Sequence, residues 1–279
     1  VKAGSGILRY REDRWPLAYT LMVLAVQLGL FFGVRSLWIT ALCVLLFQPV
    51  QAVAIACNHY QHHINVFRSR WLNRIYEVIL FLQTGTPPYL ITLHHNLGHH
   101  PHYLEPEQDT LRWQRPGGSP RSLAECLAKN FAGHLTWTVA LGRRYPKVYR
   151  RLKIMAAVSL AVLAVLIVLD PAKAMIVFVG PMLLAVFNVA RLGYDQHAGL
   201  DLNDHLGASR NIESRFYNLV TFNSGYHTAH HVRPGLHWSR LPEFHRQLRD
   251  RIPEHLRGTR NPGVAPGTSA SPAADGRTS

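Results

Sequence analysis

Seventeen histidines in 279 residues are more than packing requires, and ten of them stand in three short clusters. The clusters read Asn58-His59-Tyr60-Gln61-His62-His63, His94-His95-Asn96-Leu97-Gly98-His99-His100 and His227-Thr228-Ala229-His230-His231. On a helix, residues three and four apart share a face. His59 with His63, His95 with His99, and His227 with His230 and His231 can therefore each aim imidazoles at one point. Adjacent histidines diverge by about 100° on a helix, so a doublet suits two neighbouring metals, one ring serving each. Imidazole suits iron, zinc, copper and nickel, and ligand type alone does not choose among them. The ring nitrogens gathered here are too many for one tetrahedral zinc, and two metals are the simplest reading. His102, His134, His205, His237, His245 and His255 lack comparable spacing and read as structural. His197, in Tyr194-Asp195-Gln196-His197-Ala198-Gly199, is the exception, because it directly follows an apolar run.

The elements that must carry these clusters are apolar. Charged residues are only 16% of the chain and unevenly spread. The uncharged runs 16–34 and 36–56, parted by Arg35, each approach the roughly 20 residues that span a bilayer as helix. Runs 154–169 and 174–190 flank the tight connection Asp170-Pro171-Ala172-Lys173, which reads as a turn between antiparallel spans. Both are short, so tilt or snorkelling of Lys153 and Arg191 is expected to complete the crossing. The stretch 78–93 also lacks charge but carries Gly85 and Pro87-Pro88, which predicts a broken or re-entrant segment. The fold expected is an all-α integral membrane protein. It has about four transmembrane helices plus that broken segment, and a cytoplasmic helical cap bearing the histidines. Residues 1–15 read as a cytoplasmic N-terminal segment, 16–258 as the membrane domain, and 259–279 as a disordered tail of Pro, Gly, Ala, Ser and Thr. The first run is too long, and lacks the small-residue pattern, for a cleaved signal.

The net charge is +14, from 30 Lys plus Arg against 16 Asp plus Glu. With the N-terminus inside, only Arg35 and Lys173 of these basic residues lie outside, as the positive-inside rule favours. Arg143, Arg144, Lys147, Arg150 and Arg151 precede the third span, and Arg233, Arg240, Arg246, Arg249 and Arg251 follow the third cluster. They suit anionic lipid, or docking of an acidic electron carrier or acyl carrier. Nucleic acid is not expected, because these patches are tied to spans. Cys43, Cys57 and Cys126 form no C-x-x-C pair, which argues against a disulfide scaffold, a thiolate zinc site or an iron–sulfur cluster. No haem-attachment motif or dinucleotide fingerprint occurs, so electrons for any redox chemistry would come from a partner. A metal-handling protein would spread its ligands along the spans, whereas here they gather at one side.

The chain resembles the integral-membrane fatty acid desaturase and hydroxylase superfamily, whose mark is three boxes of the form H-x(3–4)-H, H-x(2–3)-H-H and H-x(2–3)-H-H. Here these stand as His59/His63, His95/His99/His100 and His227/His230/His231. The similarity extends to Phe222-Asn223-Ser224-Gly225-Tyr226, Pro234-Gly235-Leu236-His237-Trp238 and Leu241-Pro242, and covers roughly residues 52–242. The resemblance implies a site of two iron ions, held almost wholly by histidine, that uses dioxygen to remove hydrogen from an unactivated C–H bond. His197 matches the place of a further family ligand. The implied ligands are His59, His63, His95, His99, His100, His197, His227, His230 and His231, with His62 and His94 as additional candidates; no catalytic residue apart from them is expected. Tyr60 stands where the family often has Asp. Asp195, Asp201, Asp204 and Glu213, and the amides of Asn96, Asn188 and Asn223, are candidate hydrogen-bond partners of the ligands. The expected activity is desaturation of an acyl lipid, with hydroxylation or ketolation of an acyl chain, alkane, sterol or carotenoid as the alternative. The expected partners are a lipid substrate, the membrane and an external, ferredoxin-like electron donor.

Overall fold

The computed structural model describes residues 6–111, 113–115 and 118–258, and the tail expected over 259–279 lies outside the described residues. Among the described residues, four helices are long and apolar enough to cross a membrane: Arg11–Gly33, Leu37–His63, Pro146–Leu169 and Pro171–His197. The first contains α1 (Arg14–Gly33). The second joins α2 (Leu37–Ala52) to α3 (Ala54–His63) through Val53, which keeps helical dihedrals (φ −65°, ψ −22°). Box one thus occupies the last turns of a 27-residue apolar helix.

After α3 comes α4 (Arg70–Thr84), then a π-helix over Thr92–His99. α5 (Leu123–Arg144) starts at Ser122, whose hydroxyl accepts from the Glu125 N–H at 3.2 Å. The third crossing is α6 (Pro146–Leu169), and the fourth is α7 (Pro171–Ala174), a π-helical turn and α8 (Gly180–His197). Asp170 caps the turn between them by accepting from the Lys173 N–H at 3.0 Å. Three short helices complete the cap, α9 (Arg215–Val220), α10 (His227–Val232) and α11 (Leu241–Leu248). Among the described residues the one named sheet pairs Asn211–Ile212 with Arg257–Gly258.

The third and fourth crossings are longer than their charge-free runs, at 24 and 27 residues. Pro146 opens α6 at a position where a missing N–H is harmless, and its basic first turns simply project beyond the apolar part. The outward faces are apolar, with Leu45 69%, Leu46 72% and Val168 83% exposed, the inverse of a soluble domain. Inside, Phe31, Phe81, Leu82, Val177, Phe178 and Met182 form a common cluster. Buried amides tie the helices together. Gln27 donates to the Leu82 carbonyl at 3.2 Å, Gln83 to that of Thr20 at 2.7 Å, and Gln51 to that of Gln83 at 3.0 Å. In hydrocarbon an unpaired polar group costs several kcal/mol, so these contacts fix α1, α2 and α4 in register.

The segment expected to be broken is broken, and it starts earlier than its uncharged part because Arg74 and Glu77 pair at 2.9 Å within α4. Gly85 ends that helix at φ +68°, and a Cβ there would lie 2.8 Å from Met182 Cβ. At the other end of the chain, Asp13 accepts from His237 Nε2 at 2.9 Å and Trp238 Nε1 at 3.1 Å, clamping the segment after box three onto the N-terminus. His237 is thus structural, as its lack of spacing suggested. Gly85→Ala is expected to cost about 1–3 kcal/mol in backbone strain. A fall of several degrees in the melting temperature of the purified protein checks this, and an unchanged value would contradict it.

Candidate metal centre

Four separate elements bring the histidines together. The end of α3 supplies His59 and His63, the π-helix His95 and His99 with His100 as its cap, the end of α8 His197, and α10 His227, His230 and His231. One ring nitrogen from each of His59, His63, His95 and His230 lies within 4.8 Å of the others, and His99, His197 and His231 form a second such group. His100 Nε2 is 3.0 Å from His230 Nε2. His227 Nε2 lies 2.9 Å from that of His197 and 3.1 Å from that of His231. All nine principal candidates therefore converge, in two adjoining groups. The π-helix contributes to this: the His100 N–H bonds the His95 carbonyl at 2.9 Å, five residues back. That wider turn puts His95 and His100 on one face, with ring centroids 4.3 Å apart.

The hydrogen bonds decide where the ring protons are. His99 Nδ1 is 2.8 Å from Asp109 Oδ1, and His197 Nδ1 is 2.9 Å from the Ala208 carbonyl. An oxygen acceptor requires an N–H, so each ring carries a proton on Nδ1, which leaves Nε2 as the atom turned toward the other histidines. Those two Nε2 atoms are 3.2 Å apart. Nε2 of His63 and His95, and Nδ1 of His100, His230 and His231, are buried without a partner. Uncompensated buried nitrogens are costly, and a metal that accepts the His63 and His95 Nε2 lone pairs relieves the cost there, while His100, His230 and His231 already turn Nε2 toward the cluster. Burial, reinforced by neighbouring rings, pushes His95, His100, His227, His230 and His231 well below the ordinary histidine value. They are held neutral, the form that binds metal. The donor set fits iron as the family resemblance implies.

Asp109 is the site residue that spacing did not indicate. It is 2% exposed and reaches His99 because its loop lies directly on box two. A Cβ on Gly98 would come to 2.6 Å from Thr110 Cγ2, and Thr110 Oγ1 donates to the His94 carbonyl at 2.9 Å. The carboxylates considered from sequence act elsewhere. Asp195 faces Arg191 at 3.5 Å, Glu213 bonds His245 and Arg249, Asp201 accepts from the Asn203 N–H and Asp204 from the Leu206 N–H. Asn96 donates to the His62 carbonyl and Asn223 to that of Trp238, while Asn188 lines the cavity described below. Tyr103, also not foreseen, packs 4.4 Å from the His231 ring and bonds His205 through its hydroxyl at 2.8 Å.

The two additional candidates join neither group. His62 Nδ1 contacts Thr92 Oγ1 at 3.3 Å. His94 Nε2 bonds Thr138 Oγ1 at 2.7 Å, and its ring stacks on His134 at 4.6 Å and 19°. Each is turned away because its neighbour in sequence, His63 or His95, faces the metal groups. Burial lowers His94 to about 4, so it is neutral.

A cavity of about 1170 Å³ meets these groups. His59, His95, His99, His197, His227 and His230 form one wall, and Ile55, Leu90, Ile91 and Val186 contribute apolar surface. At its α5 edge Phe131 and Leu135 are exposed, which gives it an apolar rim.

With this geometry the comparisons agree. The model of the fatty acid desaturase family matches residues 35–261, and the chain belongs to that family. A sphingolipid delta(4)-desaturase of Drosophila melanogaster is 27% identical over 228 residues, covering 75% of this chain and 66% of that protein, just under two thirds of its length. No solved structure matches the chain. Membership bears out the resemblance read from the boxes. Asp109→Ala is expected to weaken iron binding about 10- to 100-fold by freeing the His99 tautomer. Metal titration of the purified protein measures this, and unchanged affinity would refute the role assigned to Asp109.

Proposed function

We propose that the chain is a dioxygen-dependent, di-iron desaturase that introduces a double bond into the acyl chain of a lipid, on the cytoplasmic face of the membrane. The observation that carries this reading is the pair of converging histidine groups on the wall of a large, mainly apolar cavity. The net reaction converts –CH2–CH2– to –CH=CH– while dioxygen, two electrons and two protons become two waters. Bound iron supplies the activation of dioxygen, which side-chain acid–base chemistry cannot provide for an alkyl C–H bond.

The chain's own residues bind, orient and exclude. The apolar walls hold the alkyl chain and keep water from the reacting carbons. His59, His63, His95 and His230 would hold one iron and His99, His197 and His231 the other, with His100 and His227 beside them. Asp109 and the Ala208 carbonyl keep the protons of His99 and His197 on Nδ1, so that Nε2 remains a ligand. Desaturation and hydroxylation share the first hydrogen removal and differ in substrate placement. The desaturase named among the relatives favours the first.

Orientation rests on charge. Arg35 and Lys173 lie at the end remote from the histidines, where Lys173 Nζ donates to the Phe31 carbonyl at 3.0 Å. The exposed Arg143, Arg144, Arg150 and Arg246 belong to the other side, which the positive-inside rule assigns to the cytoplasm. The same face suits an acidic, ferredoxin-like electron donor. A mass-resolved lipid profile of cells expressing the chain tests the function. One lipid class is expected to lose two hydrogens, and His230→Ala to abolish the change along with iron content. A gain of one oxygen would reassign the reaction as hydroxylation, and no change in any lipid would refute the proposal.

A further inference from the structure

Among the described residues nothing covers the apolar face of α5. Phe131, Leu135 and Val139 stand at four-residue intervals, share one face and are 52%, 76% and 38% exposed. Between Lys129 and Arg143, only His134 and Thr136 among the exposed side chains of this helix are polar. A helix at the surface of a soluble domain carries charged and polar residues on its outer face, and a contiguous exposed apolar patch marks a contact surface. Yet α5 is not one of the four helices apolar enough to cross a membrane.

The packing of α5 sets its direction. Near its start, Cys126 shares a cluster with Tyr194 and Ala198 at the end of α8. Near its end, Leu141 shares one with Leu152, and Gly142 lies against the Tyr149 ring, both in the first turns of α6. The crossings that contain α6 and α8 are antiparallel and joined by the Asp170 turn. Both contacts of α5 therefore lie at the histidine-bearing end of those crossings. A helix of 22 residues tied to that level at both ends runs across the crossings rather than along them.

The cavity opens beside this helix. Phe131 and Leu135 line it together with Val189, which is exposed within the uncharged run of the fourth crossing, so one edge of the opening stands at the depth of that apolar run. On α9, Tyr217 and Thr221 line the cavity while Phe216 and Leu219 point outward, exposed. Cations border the same opening: Lys129 and Arg191 are exposed and line it, and Arg143 and Arg144 end α5. Their charge matches anionic lipid headgroups, which long basic side chains reach by snorkelling. We infer that α5 and α9 lie in the headgroup–acyl boundary of the leaflet on the histidine side, and that the cavity opens sideways between them, into lipid rather than water. An alkyl chain then reaches the histidine wall directly from the bilayer. The inference rests on the membrane reading for its occupant and on the desaturase reading only for what becomes of the lipid that enters.

The test is spin-label accessibility in the full, purified chain, held in bilayer discs of phosphatidylcholine and phosphatidylglycerol. Cys43→Ala removes the one cysteine that is not buried, and nitroxides are then placed singly by Phe131→Cys, Leu135→Cys and Phe216→Cys. Leu46→Cys, exposed on the second crossing, calibrates lipid, and Glu107→Cys, exposed in the loop after box two, calibrates water. Collision with oxygen, which concentrates in lipid, is compared with collision with a water-soluble nickel chelate. The labels on α5 and α9 are expected to shift to the oxygen-rich, nickel-poor response of Leu46→Cys, and the three sites decide the matter even if one variant fails to fold. A response like that of Glu107→Cys would overturn the inference. Spin–spin broadening among Leu135→Cys labels would show a second copy of the chain on this face and would overturn it as well. Nickel access at Leu46→Cys would contradict the membrane reading itself, and the inference with it. Failure of cells to make any desaturated lipid would refute the function proposed above but leave the placement of α5 and α9 untouched.

Discussion

The site depends on two protons being held away from it. Asp109 and the Ala208 carbonyl keep the hydrogens of His99 and His197 on Nδ1, with the two Nε2 atoms 3.2 Å from each other. Burial holds the neighbouring rings of His95, His100, His227, His230 and His231 neutral, so the site gathers uncharged nitrogen donors suited to a cation. The crowded imidazoles form two groups that could each hold a metal ion. The rest of the architecture serves to press four segments, far apart in sequence, against that centre.

The membrane helices do this pressing. Their outward faces are apolar and their inward faces are locked by amide–carbonyl bonds such as those of Gln27 and Gln83, so the ends of α3 and α8 arrive at fixed positions. Box two comes on a π-helix that follows the Gly85 break, and box three on α10, with the segment after it fastened to Asp13 through His237 and Trp238. The cavity lies where these elements meet, with metal-binding rings on one wall and α5 on another. An alkyl chain bound there would bring its carbons to the metals without exposing them to water.

Much of this was legible in the residue spacing. His59 and His63 are four apart on a helix that is indeed regular, and the apolar runs marked all four crossings and the broken segment. What escaped was set by tertiary contacts. The outer limits of α6 and α8 were hidden because charge marks where a helix leaves the apolar layer, and the helices run on past it. The π-helical turn under box two leaves no periodic trace. Asp109 lies in a loop whose approach depends on Gly98 meeting Thr110, and nothing in the spacing of carboxylates distinguishes it from Asp195 or Glu213. His94 belongs to box two by sequence, yet its hydrogen bond is to Thr138, on a helix that begins well downstream.

The central claim is that the converging rings hold two irons. Elemental analysis of the purified, full-length wild-type chain, quantified against protein concentration, tests it most directly. The account predicts two irons per chain with negligible zinc. One zinc per chain, or a well-folded protein that takes up no iron when it is supplied, would contradict it.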